Sequence, residues 1–427
     1  MKFIYTLITV CYTFVLVAQR PNTVVCGYDM VLDINEKKYP GYQSVLNQSF
    51  DEAQRYSQNA TLRNEIFRIP VVIHIVWRNE EENLADSIIQ SQIQVLNDAF
   101  RLQNSNRDEI RDIFKDIQGD AEIEFYLKDV KRVKTNENFT VLLFSLPDEV
   151  KQQDEGGSDA VDTEKHLNIW VCKIQPIPFI GGQVLGYAYP PLGLANWPAG
   201  AEAPSKDLEG VVIDFRVFGS NNPNKLTVQG FTHEALGRTT VHEVGHYLGL
   251  RHIWGDGGGL FGGDSCGEDD GIEDTPNQGA QSGTECDPTL NTCVDSEGID
   301  LPDMFENYMD YSGEACQNTF TKGQITHMRS VLMNQRKLLV NTKEVSFTSD
   351  QVTIYPNPTA DRLTVNISDM EGELIFEIRD MTGCVHRSDK INEPTFDLDV
   401  STLSDGMYML HIRSKQGSVA SRFVVAK

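Results

Sequence analysis

The chain is poor in positive charge. Lys and Arg number 37 against 62 Asp and Glu, a formal net charge of -25 over 427 residues. A nucleic-acid binder needs a basic face that displaces counterions, so that partner class is excluded, and docking on anionic lipid is disfavoured with it. Cysteine is scarce, and eight residues are too few to build a scaffold from disulfides. Beyond residue 18 no apolar run approaches the ~18 residues that cross a bilayer, so the mature form is expected to carry no transmembrane span. Long internal repeats are missing. What remains is room for two to four domains at ~100–200 residues each. A hydrophobic share of 40% is enough to bury a core. The acid excess suits a secreted protein that handles cations or basic substrates, or serves solubility alone.

The first residues, MKFIYTLITVCYTFVLVAQ, combine Lys2 with a short apolar run and the small Ala18. That pattern predicts a secretory signal over 1–18. Residues 19–64 are polar, lack a strong period and read as peripheral to any core. Strands are expected at Phe67–Trp77, 123–130, Leu167–Cys172, 184–189 and 210–214. Helices are expected from Ser87 to Gln103, over 239–248, and from a Thr321/Gln324 capping box to Leu339. From Val352 onward, seven short β-type runs separated by turn residues predict a small β-sandwich, with a boundary near 342–350.

Chemistry concentrates in His242-Glu243-Val244-Gly245-His246-Tyr247-Leu248-Gly249-Leu250-Arg251-His252. On a helix, His242 and His246 share a face one turn apart and can share one zinc ion. Glu243 sits beside the first ligand, in reach of a water at the metal. Gly249 lets the chain leave the helix sharply so that His252 returns as a third ligand. Three protein ligands leave one position open, the arrangement of catalytic rather than structural zinc. Glu243 is thereby placed to exchange a proton with that water.

HEVGHYLGLRH is the elongated zinc motif of the metzincins, and Asn307-Tyr308-Met309-Asp310-Tyr311 matches their methionine turn. With IPVVIHIVW, LGYAYPP, GVVIDFRVFG and DTP at 274–276, residues 20–340 resemble the pappalysin family, particularly its secreted bacterial members. The resemblance implies a zinc endopeptidase of α+β class, with a mixed twisted sheet and an active-site helix. It implies Met309 as the floor of the site and Tyr311 as a hydrogen-bonding partner near the metal or the tetrahedral intermediate. It implies 184–189 as an edge strand that pairs with extended substrate. Glu314 takes the position of an acidic residue associated in related enzymes with cleavage next to Arg or Lys.

Cys266, Cys286, Cys293 and Cys316 surround the methionine turn, and four cysteines allow three pairings. The family pattern implies Cys266–Cys293 and Cys286–Cys316. The carboxylate-rich loop 267–275 suits a hard cation, and the resemblance raises Asp270, Thr275 and the Glu273 carbonyl as Ca2+ ligands. Family precursors carry a Cys-Gly ahead of the catalytic domain, here Cys26-Gly27, whose thiolate occupies the zinc in a latent form; a disulfide from Cys26 to Cys172 is the rival. Cys172 otherwise reads as a buried free thiol, and Cys384 as unpaired. Arg55 and Arg63 are candidate sites of activating cleavage.

The final module, with Tyr355-Pro356-Asn357-Pro358, GMYMLHI and RFVVAK, resembles the C-terminal sorting domain of the type IX secretion system. The expected organisation is a signal peptide (1–18), a propeptide (19–63), a zinc metalloprotease domain (64–342) and an all-β, Ig-like sorting sandwich (346–427). The expected function is a secreted or surface-held zinc endopeptidase, exported through the periplasm, made as a zymogen and acting on protein or peptide substrates. The expected partner besides substrate is the type IX machinery. A surface adhesin with an auxiliary protease domain is the alternative.

Overall fold

Phe67–Trp77 (β2) is apolar along nearly its whole length because both its faces are covered. In the computed structural model it lies inside a sheet, parallel to β3 (Ile123–Lys134) on one side and β5 (Leu167–Cys172) on the other. The structure describes residues 24–59, 66–142, 145–178, 182–191, 204–255, 266–267, 269–294, 300–340, 352–368, 374–381, 383–391, 393–414 and 417–427. The expected signal, Arg63 and the stretch 342–350 lie outside the described residues. The chain forms two compact units, 1–340 and 341–427.

In the first unit β5 continues parallel into β8 (Val211–Asp214), which pairs antiparallel with β7 (Gln183–Ala188). β1 (Val24–Cys26) then lies parallel to β7, giving the order β1-β7-β8-β5-β2-β3. Side chains alternate across this sheet with period two. Leu167, Ile169 and Val171 enter the core shared with helices α3 (Asp86–Phe100) and α4 (Arg238–Tyr247). Trp170 and Cys172 point into a second core on the opposite face. Two short pairs, β4 (Phe139–Thr140) with β6 (Ile174–Gln175) and β9 (Leu226–Val228) with β10 (Phe231–His233), lie outside the main sheet.

Three expectations need correction. The N-terminal segment is not peripheral. It folds into β1, α1 (Tyr28–Lys38) and α2 (Tyr42–Asn59), and Tyr28, Val31 and Tyr42 are buried in the second core. Its apolar positions are diluted by polar residues that also pack, such as Asn35 and Ser49, so no clean period shows in sequence. Strand 184–189 is not a free edge, because β1 covers it and Gly27 N–H donates to the Gly186 carbonyl at 2.7 Å. Helix ends also differ: α3 stops at Phe100, shortly before Leu102 turns to φ 50°. The Thr321/Gln324 box does open α5 (Lys322–Met333), but the chain breaks at Asn334 before α6 (Lys337–Val340).

The second unit is all-β and antiparallel. One sheet holds β11 (Val352–Tyr355), β12 (Arg362–Ile367) and β15 (Thr395–Asp399). The other runs β14 (Val385–Ile391), β13 (Leu374–Asp380), β16 (Gly406–Ser414) and β17 (Gly417–Val425). Leu363, Val365, Phe376, Ile378, Leu410 and Phe423 come from both sheets into one core, which makes the sandwich that the seven apolar runs predict.

Candidate active site

Helix α4 carries the site, and its start is fixed by a residue far along the chain. Gly237 enters at φ 82°, and the buried Glu314 carboxylate closes the first turn. Its oxygens accept from the N–H groups of Leu236, Arg238 and Thr239 and from the Thr239 hydroxyl. An anion at a helix N-terminus satisfies donors that have no partner within the helix. Four residues into α4, His242 turns inward, and His246 follows one turn later.

At the far end Gly249 takes φ +91°, which side-chain-bearing residues rarely adopt, and Leu250 N–H returns to the Gly245 carbonyl at 3.0 Å. This reversal brings His252 back. His246 Nε2 lies 3.1 Å from His242 Nε2 and 3.2 Å from His252 Nε2. His242 Nδ1 donates to the Tyr308 carbonyl at 2.7 Å and His246 Nδ1 to that of Leu250 at 2.9 Å. The Nε2 atoms of His242 and His246 are therefore bare lone pairs, and lone pairs converging in a buried space repel unless a cation sits among them. Tetrahedral zinc with ~2.0–2.1 Å Zn–N bonds sets its nitrogens about 3.3 Å apart, so the donor set fits that ion. Burial pushes His242 down to about 3, with His252 adding to the shift, and drives His246 well below its usual range. Neutral imidazole is the ligand form.

Cys26 completes the group. Its Sγ and the three imidazole nitrogens all lie within 4.8 Å of one another, and all four residues are buried. The thiol is held in place by Tyr28 N–H at 3.2 Å, and Cys26 N–H donates to the Tyr311 hydroxyl at 3.2 Å. Burial raises the thiol's pKa well above its usual value, with the Glu243 charge adding to it. Burial also pushes Glu243 up to about 8. The Cys26 thiol is a direct neighbour of this buried carboxyl, and its contact opposes the upward shift.

Beneath the histidines Met309 is fully buried, and its sulfur fills the space where a Cβ on residue 245 would stand. Gly245 is thus required by close approach. The turn is locked by reciprocal amide bonds: Asn307 Nδ2 to Gln324 Oε1 at 2.9 Å and Gln324 Nε2 to Asn307 Oδ1 at 3.2 Å. Disulfides join Cys266 to Cys293 and Cys286 to Cys316. Cys26 and Cys172 are both unpaired and buried, so the rival bridge between them does not form, and Cys384 is free and exposed.

Other expected residues are placed less simply. Glu314 lines the cleft beside Thr239 and Tyr311, yet its oxygens are already engaged by α4. In the carboxylate-rich loop the Thr275 hydroxyl donates to Asp270 at 2.8 Å, while the Glu273 side chain is exposed. Arg55 lies in helical backbone, not in the extended form that a protease cleft grips. Sequence reasoning missed Tyr28, whose ring stacks on His246 at 3.9 Å, and Asp29, whose Oδ1 is 3.3 Å from His252 Nδ1. Their adjacency to Cys26-Gly27 was the available signal. It also missed Trp254, stacked on His252 at 4.6 Å.

Comparison with known proteins agrees with this geometry. Residues 221–333 match the family described as pregnancy-associated plasma protein-A, and residues 353–426 match the secretion system C-terminal sorting domain. Tannerella forsythia mature mirolysin, in complex with a cleaved peptide, is 35% identical with TM-score 0.53, covering 65% of this chain and 97% of that one. A mutant of Tannerella forsythia promirolysin is 32% identical with TM-score 0.58, covering 75% and 97%. An extracellular metalloprotease of Pyricularia oryzae is 27% identical over 289 residues, 65% of this chain and 80% of its own. An exported protease, secreted or held at the cell surface, is what these matches describe. The chain belongs to the pappalysin family of metalloproteases and ends in a type IX sorting domain.

Proposed function

We propose that this protein is a zinc endopeptidase made as a latent precursor. The carrying observation is the convergence of His242, His246, His252 and Cys26 on one buried point with Glu243 alongside. His242, His246 and His252 would hold the metal. A bound zinc ion supplies Lewis acidity, polarising the scissile carbonyl and lowering the pKa of water. Glu243 takes the proton of the attacking water and later passes it to the leaving amine; its burial and its carboxyl pushed up to about 8 beside the histidines support that role. Tyr311, with its ring 5.5 Å from that of His242, steadies the oxyanion by its hydroxyl once Cys26 leaves. Substitution of Glu243 by Ala in the mature form should abolish casein cleavage while metal content stays near one equivalent. Equal activity in both proteins would overturn the mechanism.

Residues 19–63 act as the latency segment in this reading. The Cys26 thiolate holds the position that substrate and water need, and β1 covers the strand on which peptide would pair. The likeness to promirolysin, which spans 75% of this chain against 65% for mature mirolysin, supports it. Cys26→Ala should accelerate autoprocessing; unchanged kinetics would count against the switch. Cleavage beside Arg or Lys is the proposed preference, supported by the acidic lining of the cleft. Asp310 joins Glu314 there, and its Oδ2 makes no hydrogen bond among the described residues. Mass spectrometry of cleaved peptide libraries tests it. Calcium at Asp270, Thr275 and the Glu273 carbonyl, and export by the type IX machinery, complete the proposal.

A further inference from the structure

Away from the histidines, α2 grips the catalytic unit at a second point. Phe50 is 8% exposed. Its ring stacks on His327 of α5 at 4.2 Å, and the Arg251 guanidinium lies over it at 4.1 Å. Gly271 forms the third wall, where a Cβ would stand 2.7 Å from the ring. Polar bonds ring the socket. Arg251 donates to Asn47 Oδ1 at 2.8 Å, and Gln54 Nε2 to the Gly271 carbonyl at 2.9 Å. Gln335 Nε2 donates to the Ser49 carbonyl at 3.0 Å and to its hydroxyl at 2.8 Å. Asn47, Phe50 and Gln54 recur at helical spacing, so one face of α2 makes these contacts. An aromatic anchor ringed by hydrogen bonds is the pattern of a binding hot spot, and the whole is a helix laid in a groove.

We propose that this socket retains α2 after the chain is cut between α2 and β2, so that the severed segment remains a non-covalent inhibitor and binds mature enzyme in trans. The proposal rests on the latency reading above. Hydrolysis adds one water across one peptide bond and removes none of these contacts. Every wall of the socket, His327, Arg251, Gly271 and Gln335, belongs to the part that survives maturation. The two anchors, Cys26 at the end of β1 and Phe50 on α2, sit on one continuous segment, so holding either raises the effective concentration of the other. Full activity therefore needs a second event that dilutes or destroys α2.

A labelled peptide of residues 24–59 titrated into mature Glu243→Ala protein, read by fluorescence anisotropy, tests this without catalysis. Saturable binding is expected, with inhibition of the active mature enzyme over the same range. Phe50→Ala in the peptide should weaken binding at least ~30-fold, about 2 kcal/mol. Since alanine favours helix over phenylalanine, that loss cannot come from unwinding. His327→Ala in the enzyme should weaken it comparably, and Asp51→Ala in the peptide, on the exposed face, should not. If Cys26→Ala weakens binding and Phe50→Ala does not, the socket falls and the latency reading stands. If the wild-type peptide shows no saturable binding, retention in trans is overturned, while the Cys26→Ala zymogen still judges latency separately.

Discussion

Removing the Glu314 carboxylate should loosen the active-site helix before it changes which bonds are cut. Glu314→Ala strips the partners from three backbone N–H groups and the Thr239 hydroxyl at the start of α4. An N-terminal cap is worth about 0.5–2 kcal/mol, and each buried donor left alone costs about 1–3 kcal/mol. These terms overlap, so a total near 3–5 kcal/mol is expected. At roughly 2–4 °C per kcal/mol for a unit of this size, the melting transition should fall by about 6–20 °C. Glu314→Gln keeps one acceptor oxygen and should lose about half as much. Calorimetry of the full chain in a Glu243→Ala background avoids self-digestion during the scan. A transition unchanged within about 1 °C, alongside an altered cleavage preference, would refute the capping argument and make Glu314 a pocket charge only.

Other outcomes follow from the same geometry. Gly245→Ala drives a methyl into the Met309 sulfur and should cost about 1–3 kcal/mol, with weaker metal retention in chelator competition. His74 is buried between Ser158 Oγ at 2.8 Å and Asn168 Oδ1 at 2.9 Å, and burial lowers it from 6.5 to about 4. The unfolded chain then binds the extra proton first, so stability should fall as pH drops from 6.5 to 4, by about 3 kcal/mol in total. Denaturant melts across that window check it, and His74→Gln should flatten the slope. Replacing both Cys286 and Cys316 with Ser opens a loop of sequence separation 30 and should cost about 3.5 kcal/mol, seen as a lower urea midpoint.

Much of the centre was readable because its chemistry is local. His242, Glu243, His246, Gly249 and His252 fall within eleven residues, and helix periodicity plus one left-handed glycine suffices to converge them. The seven short runs of the sorting unit were legible for the same reason, since strand alternation is a property of neighbours. The described part of the N-terminal segment, from Val24 on, was misread because burial there is shared between polar and apolar side chains. That Glu314 also caps α4 was not legible, because nothing in the order of residues shows that a loop 75 positions away from Thr239 returns to it.

The sequence by itself therefore determined the family motif with its three clustered histidines and glutamate, the sorting module and the acidic balance, since each depends on residue type and short spacing. Only the tertiary structure decided that Cys26 reaches the histidines, that β1 pairs along β7, and that Phe50 enters a socket of Arg251, Gly271 and His327. Those contacts join segments hundreds of residues apart. Their free energy comes from apolar surface and donors that find partners only after the sheet has formed, which no local period encodes.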